Sequence, residues 1–154
     1  MRTTRLAAPA LVLVVAMFAA ACSDANPVAP ANIPGTYVLQ SINGQGLPYV
    51  VPNTVGEARI VNSATAEIVL AVSADSDNTY SFTGSGMRDD SVATVLSDVG
   101  SWTQDGGKLN FVSGAISGAF YFAIATPDKI TVTLPGGFLN STTGTFSLVF
   151  VKGS

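Results

Sequence analysis

Hydrophobic and polar residues alternate along most of the chain beyond residue 33. The alternation is clearest over 129–134, where Ile130, Val132 and Leu134 fall on one face of an extended chain and the residues between them on the other. The same period of two appears over 79–83, 108–111 and 145–150. Such runs, rich in β-branched and aromatic residues, are typical of antiparallel strands that are buried on one face. The pattern therefore predicts an all-β domain.

Turn-forming residues separate the alternating segments, and they either tolerate a positive φ or preset a turn. They lie at Asn43-Gly44, Asp75-Ser76-Asp77-Asn78, Asp105-Gly106-Gly107, Pro127-Asp128 and Pro135-Gly136-Gly137. We predict strands near 36–43, 57–62 (a weak segment), 65–73, 79–85, 92–103, 108–113, 115–125, 129–134 and 142–152. The segment 87–96 is predicted as a loop followed by a strand, with a short helix as the alternative. Short strands joined by tight turns favour an antiparallel up-and-down meander closing into a small barrel of about eight strands, because closure removes exposed edges.

The first 21 residues have a different pattern. Arg2 and Arg5 precede an apolar run over 6–21 that ends in small residues, which is typical of a secretory signal peptide. The run is shorter than the roughly 20 residues that a membrane-spanning helix needs. Cys22, the single cysteine of the chain, follows directly.

The sequence Ala19-Ala20-Ala21-Cys22 resembles the lipobox of bacterial lipoproteins. The resemblance implies that Cys22 receives a diacylglyceryl group and becomes the mature N-terminus, so that its partner is membrane lipid. Ser23 after the cysteine implies a lipid-anchored position in the cell envelope, at the outer rather than the inner membrane. An ordinary signal peptide followed by an unrelated cysteine is the alternative.

Three segments follow from these patterns. Residues 1–21 are predicted to be a lipoprotein signal peptide, and residues 22–33 the lipidated cysteine with a proline-containing tether. Residues 34–154 are predicted to form the β-barrel domain. A domain of that size buries enough surface for one hydrophobic core.

The composition and charge exclude several kinds of chemistry. The 154 residues include no His, 47% are hydrophobic and 11% are charged. The absence of His removes the commonest general base and metal ligand, and one Cys forms no internal disulfide. Loss of residues 1–21 moves the formal net charge from −3 to −5, and the remaining basic residues are scattered singly, unlike a nucleic-acid-binding face. We predict no catalytic residue, no metal and no cofactor, hence a protein that is not an enzyme.

Two segments resemble the motifs of bacterial lipocalin-like lipoproteins. One is the opening Gly35-Thr36-Tyr37-Val38-Leu39 with Asn43-Gly44 and Leu47-Pro48, and the other is Gly100-Ser101-Trp102-Thr103 with Gly107-Lys108-Leu109-Asn110-Phe111. The resemblance covers about residues 34–152 and implies a calycin-type β-barrel that binds a small hydrophobic ligand. Small secreted META-type β-domains are a second family that the pattern resembles. A glycine in such a motif lets an aromatic side chain pack close to a neighbouring strand.

The aromatic and aliphatic residues of the predicted strands are candidates for the lining of a cavity. They are Tyr80, Phe82, Leu109, Phe111, Phe120, Phe122, Ile130, Val132, Phe146, Leu148 and Phe150. An eight-stranded barrel is wide enough either to be filled by side chains or to hold one small ligand. The leading hypothesis is therefore a membrane-anchored extracytoplasmic lipoprotein that binds a small hydrophobic molecule. The alternative is a solid-core structural or protein-interaction module of the envelope.

Three other segments have simpler interpretations. Phe120-Tyr121-Phe122 is apolar on both faces and indicates a strand covered from outside, or else an interaction patch. The acidic segment 75–78 is predicted to be a hairpin turn and not a calcium loop, because the further ligands and glycine of such a loop are missing. Asp89 and Asp90 are too close in sequence for a carboxylate dyad, since neighbours on a strand point to opposite faces.

Overall fold

A computed structural model describes residues 33–71 and 76–154 of the chain. The predicted signal peptide, Cys22 and the tether up to residue 32 lie outside the described residues, as does Asp75 of one predicted turn. Ile33, the last residue of the predicted tether, packs into the hydrophobic core, and its carbonyl oxygen accepts a 2.5 Å hydrogen bond from the Tyr37 hydroxyl. The folded domain therefore begins no later than Ile33.

The described residues form nine antiparallel strands. They are β1 (Gly35–Ile42), β2 (Tyr49–Val50), β3 (Arg59–Val69), β4 (Thr79–Arg88), β5 (Ser91–Asp105), β6 (Lys108–Ser113), β7 (Phe120–Thr126), β8 (Lys129–Pro135) and β9 (Thr145–Lys152). Strands β3 to β9 pair in sequence order, and β1 pairs with both β9 and β3. That double pairing closes an eight-stranded barrel, while β2 adds a short edge to β3. The all-β, up-and-down barrel prediction is confirmed, and this architecture is compatible with a calycin-like fold.

Several strand boundaries differ from the predicted ones. The segments predicted at 57–62 and 65–73 are one strand, β3, whose pairing with β4 is irregular between Val61 and Ser63. Residues 87–96 are a continuous hairpin of β4 and β5, because Asp89 and Asp90 take positive φ angles of 42° and 65° in the turn. Strand β7 begins only at Phe120, after a loop, and β9 only at Thr145.

The two ends of the barrel are built differently. At the end where β1 begins, the chain enters at Ile33, and two-residue turns join β5 to β6 and β7 to β8. At the far end, a 3-10 helix over Gly136–Leu139 buries Phe138 and Leu139. Hydrogen bonds join the residues after the helix to the loop before β3. The Val55 N–H donates to the Asn140 carbonyl oxygen at 2.8 Å, and the Ser141 hydroxyl donates to the Pro52 carbonyl oxygen at 2.6 Å. This segment closes the far end.

One glycine makes room for an interior polar group. Gly100, in the Gly-Ser-Trp motif, lies directly across from Tyr80 on β4. A Cβ atom at this position would collide with the Val112 carbonyl oxygen and lie 2.9 Å from Cε1 of Tyr80. The missing side chain therefore leaves room for the Tyr80 ring beside β5.

Candidate functional site

The structure brings together most of the residues predicted to line a cavity. Nine of the eleven are buried on the inner face of the barrel, namely Tyr80, Phe82, Leu109, Phe111, Ile130, Val132, Phe146, Leu148 and Phe150. Phe120 and Phe122 are not among them: they lie on the outer face and are 71% and 40% exposed. Their predicted interior placement is corrected, because Tyr121 between them points inward and neighbouring strand residues face opposite sides.

Aromatic rings in mutual contact occupy the middle of the interior. The Phe82 ring lies 5.2 Å from Tyr80, 5.6 Å from Phe111 and 5.6 Å from Phe150, measured between ring centroids. Tyr80 and Phe111 are 4.7 Å apart in an edge-to-face arrangement. These separations fall in the range of favourable aromatic pairs, so this section of the barrel is filled by its own side chains.

A fully buried carboxylate lies beside these rings. Asp98 on β5 is 1% exposed, and its Oδ2 accepts hydrogen bonds of 2.6 Å from the hydroxyls of both Tyr80 and Tyr121. Its Oδ1 accepts from the Ser113 hydroxyl at 2.7 Å and from the Ala115 backbone N–H at 3.2 Å. All four donors are neutral groups, and together they use the acceptor capacity that a buried carboxylate must satisfy.

The Asp98 cluster also holds a loop at the far end of the barrel. Ser113 donates to Asp98 and accepts a 2.9 Å hydrogen bond from the Ile116 backbone N–H, so the start of the loop between β6 and β7 is tied to β5 through two side chains. The carboxylate is enclosed and its acceptor sites are occupied. Its geometry is that of a polar core that fixes four strands, β4 to β7, and a loop, not of a group that meets a substrate.

The sequence pattern alone does not identify this cluster. The adjacent carboxylates Asp89 and Asp90, which the sequence excludes as a dyad, lie in an exposed turn where Asp89 Oδ1 accepts from the Ala58 N–H at 2.8 Å. The sequence does contain one indication of Asp98. It lies an even number of residues from Leu96 and Trp102 in a segment predicted to be a strand, so it faces the same inward side as they do. A carboxylate at an inward position implies interior hydrogen-bond donors.

Burial raises the pKa of both Tyr80 and Tyr121 well above the ordinary tyrosine value, and the hydrogen bond to Asp98 raises each pKa further. Burial also raises the pKa of Tyr37. Each phenol therefore favours the folded state below the unfolded-state pKa of about 10, and that stabilisation is lost as the pH rises beyond it.

We expect these three phenols to ionise only as the protein unfolds, so that tyrosinate absorbance and the loss of circular dichroism rise together with pH. Ionisation of three phenols in a protein that keeps its native spectrum would contradict this.

The outer face of β7 carries an apolar strip. We call the outward side chains Phe120, Phe122 and Ile124 on β7, with Val112 on β6, the β7 strip; all four are exposed, and Val112 lies directly across from Phe120. Lys108 Nζ lies 4.9 Å from the centroid of the Phe122 ring. A recess of about 260 Å³ in this outer face is lined by Lys108, Asn110, Phe111, Phe120, Tyr121 and Phe122. Phe120 is 71% exposed, so the expected outer cover of this strand is not supplied by the described part of the chain.

The described residues form neither a metal site nor a membrane-spanning helix. Asn78, the last residue of the turn predicted at 75–78, accepts a 3.0 Å hydrogen bond from the Ala71 N–H through its side-chain oxygen. Over 33–71 and 76–154, no three His, Cys, Asp or Glu side chains converge as metal ligands would. The helical segments in those same ranges include none that is long and apolar enough to cross a bilayer.

Comparisons of the chain with protein-family profiles, with curated proteins and with solved structures find no match. Functional inference therefore depends on the residues themselves. The observations that bear on it are the aromatic interior around Phe82, the buried Asp98 cluster and the exposed β7 strip.

Proposed function

We propose that the protein is a lipid-anchored envelope protein whose β-barrel is a solid structural or interaction module, with no catalytic role and no ligand inside the barrel. The observation that carries this proposal is the aromatic contact network around Phe82. A ligand in the middle of the barrel would have to displace rings that already lie 5.2 to 6.1 Å from the Phe82 centroid.

The closed far end supports the same conclusion. Carrier barrels admit a ligand through an open mouth. Here Phe138 is buried and its ring packs 5.3 Å from that of Tyr121, which is itself bonded to Asp98. For a ligand to enter from this end, the 3-10 helix would have to move away. The hydrogen bonds between residues 140–142 and the loop before β3 would have to break as well.

The proposed location rests on the sequence before the barrel. The small-residue run ending at Cys22, the Ser23 after it and the lipocalin-like motifs of β1 and β5 favour a bacterial lipoprotein of the outer membrane. Lipid chains contribute about 0.8 kcal/mol for each buried methylene, so two or three chains hold a domain of this size firmly.

The location is tested with the full chain and its Cys22→Ser variant. We expect the parent protein in the membrane fraction, with a mass showing residues 22–154 plus acyl groups, and the variant outside that fraction and without acyl groups. Equal fractionation of the two proteins would contradict the anchor.

The solid interior is tested by titrating the purified lipoprotein with fatty acids while following Trp102 emission. The Trp102 indole is buried and donates to the Val69 and Thr79 carbonyl oxygens at 3.1 Å, so it reports on changes at that side of the core. We expect no saturable change. Saturable one-to-one binding that persists in a Phe122→Ser variant, which alters only the outer recess, would overturn the proposal.

A further inference from the structure

The β7 strip differs from the outer faces on the opposite side of the barrel. Strand β3, four strands away in either direction, presents Ser63, Thr65 and Glu67 outward. On β7, three consecutive outward positions are Phe, Phe and Ile. An exposed row of this kind marks a surface that meets an apolar environment.

We propose that the β7 strip lies against the lipid bilayer, with the Phe120 and Phe122 side chains inserted at the level of the headgroups. This inference rests on the lipid anchor of the proposed function and names the surface that the anchored barrel contacts. The partner is a lipid surface, and not a protein or a second copy of the chain.

The length of chain before the barrel favours the bilayer as the partner. Ten residues separate Cys22 from Ile33, where the described domain begins. Even a fully extended chain of that length spans at most about 40 Å, and the seven residues of β7 extend over about 23 Å. An acylated Cys22 therefore keeps the whole β7 strip within reach of the membrane. A small apolar contact that would be weak for a free protein becomes intramolecular and is strengthened accordingly.

The charges around the strip fit an interfacial position. Lys108 and Lys129 begin the strands on either side of β7, so their long side chains can place ammonium groups at the headgroups while their stems lie on apolar surface. Asp105 lies across from Lys108, and Asp128 precedes Lys129. Because these carboxylates offset the lysines, we expect docking by apolar insertion and no requirement for anionic lipid.

The test places a tryptophan on each side of the barrel in the full, lipidated protein. The Phe122→Trp and Thr65→Trp proteins are reconstituted in phosphatidylcholine vesicles with and without brominated acyl chains, and the Trp102 emission of the parent is subtracted. Both positions are outward and exposed, so both variants are expected to fold. We expect bromine to reduce the added emission of the Phe122→Trp protein about twofold or more and to leave that of Thr65→Trp nearly unchanged.

Three results would overturn the inference, and they are distinguishable. Equal quenching of the two variants, or of neither, in a protein that floats with the vesicles rejects the docked strip and leaves the anchor standing. A Phe122→Trp protein that floats with the vesicles but is not quenched, and that chemical cross-linking traps as a dimer, means that another copy covers the strip in place of lipid. A parent protein that does not float with vesicles rejects the proposed anchor, and the docked strip with it.

Discussion

Replacement of Asp98 by alanine is expected to lower the free energy of unfolding by about 3–5 kcal/mol. The substitution leaves the hydroxyls of Tyr80, Tyr121 and Ser113 and the Ala115 N–H without the acceptor that now serves all four. It also opens a void beside the rings. Urea denaturation of the purified parent protein and of the Asp98→Ala protein measures the difference directly.

Asp98→Asn should lower the free energy of unfolding by less than Asp98→Ala does. Its carbonyl oxygen can still accept from two donors, and Tyr80 has a second acceptor available in the Val112 carbonyl oxygen at 3.3 Å. The side-chain NH₂ group of the asparagine, however, is a donor and would face hydroxyls that donate to Asp98 in the parent protein. We therefore expect Asp98→Asn to fall between the parent and Asp98→Ala in stability, with a loss of about 1–3 kcal/mol.

Asp105 provides the matched control for both substitutions. It lies at the end of the same strand, is exposed and has the same side chain. Asp105→Ala and Asp105→Asn are expected to change the free energy of unfolding by less than about 0.5 kcal/mol. If Asp98→Ala were no more destabilising than Asp105→Ala, the four hydrogen bonds would not be what holds β4, β5, β6 and β7 together.

The architecture could be predicted because alternation and turn chemistry are both local. Lys129–Pro135 shows a lysine and threonines on the face opposite Ile130 and Val132, and the structure places them as that period requires. Closure of the sheet into a barrel is predicted because an open sheet would leave strand edges with unpaired backbone groups. Strand β2 has two residues and offers no period to detect. The Pro-Gly-Gly sequence before Phe138 predicts a turn, whereas the chain forms a 3-10 helix there.

The site could be predicted only in part, because it depends on contacts between distant residues. In Phe120-Tyr121-Phe122 every residue is aromatic, so hydrophobicity does not fix which face is inward. The register is decided by the Tyr121 hydroxyl, which bonds to Asp98 at a separation of 23 residues. The sequence contains both partners but not their pairing. For that reason the sequence predicts Phe120 and Phe122 in the interior and does not predict Tyr121 there.

Replacement of Phe82 by alanine is expected to lower the free energy of unfolding by about 3–5 kcal/mol. Phe82 is 1% exposed, and its ring lies within 6.1 Å of the rings of Tyr80, Phe111, Tyr121 and Phe150. The substitution removes the transfer free energy of the ring and leaves a cavity that closed strands cannot collapse to fill. Phe120→Ala is the control, because the Phe120 ring is mostly in solvent and its loss should cost less than about 0.5 kcal/mol.

The same pair of variants distinguishes a filled barrel from one that already has room. An apolar cavity in a packed core stays dry and binds benzene-sized molecules. Benzene should therefore raise the melting temperature of the Phe82→Ala protein and leave those of the parent and of Phe120→Ala unchanged. If the parent responded as strongly as Phe82→Ala, the aromatic network would already enclose a binding space. If Phe82→Ala were as stable as Phe120→Ala, the ring contacts would not be holding the core.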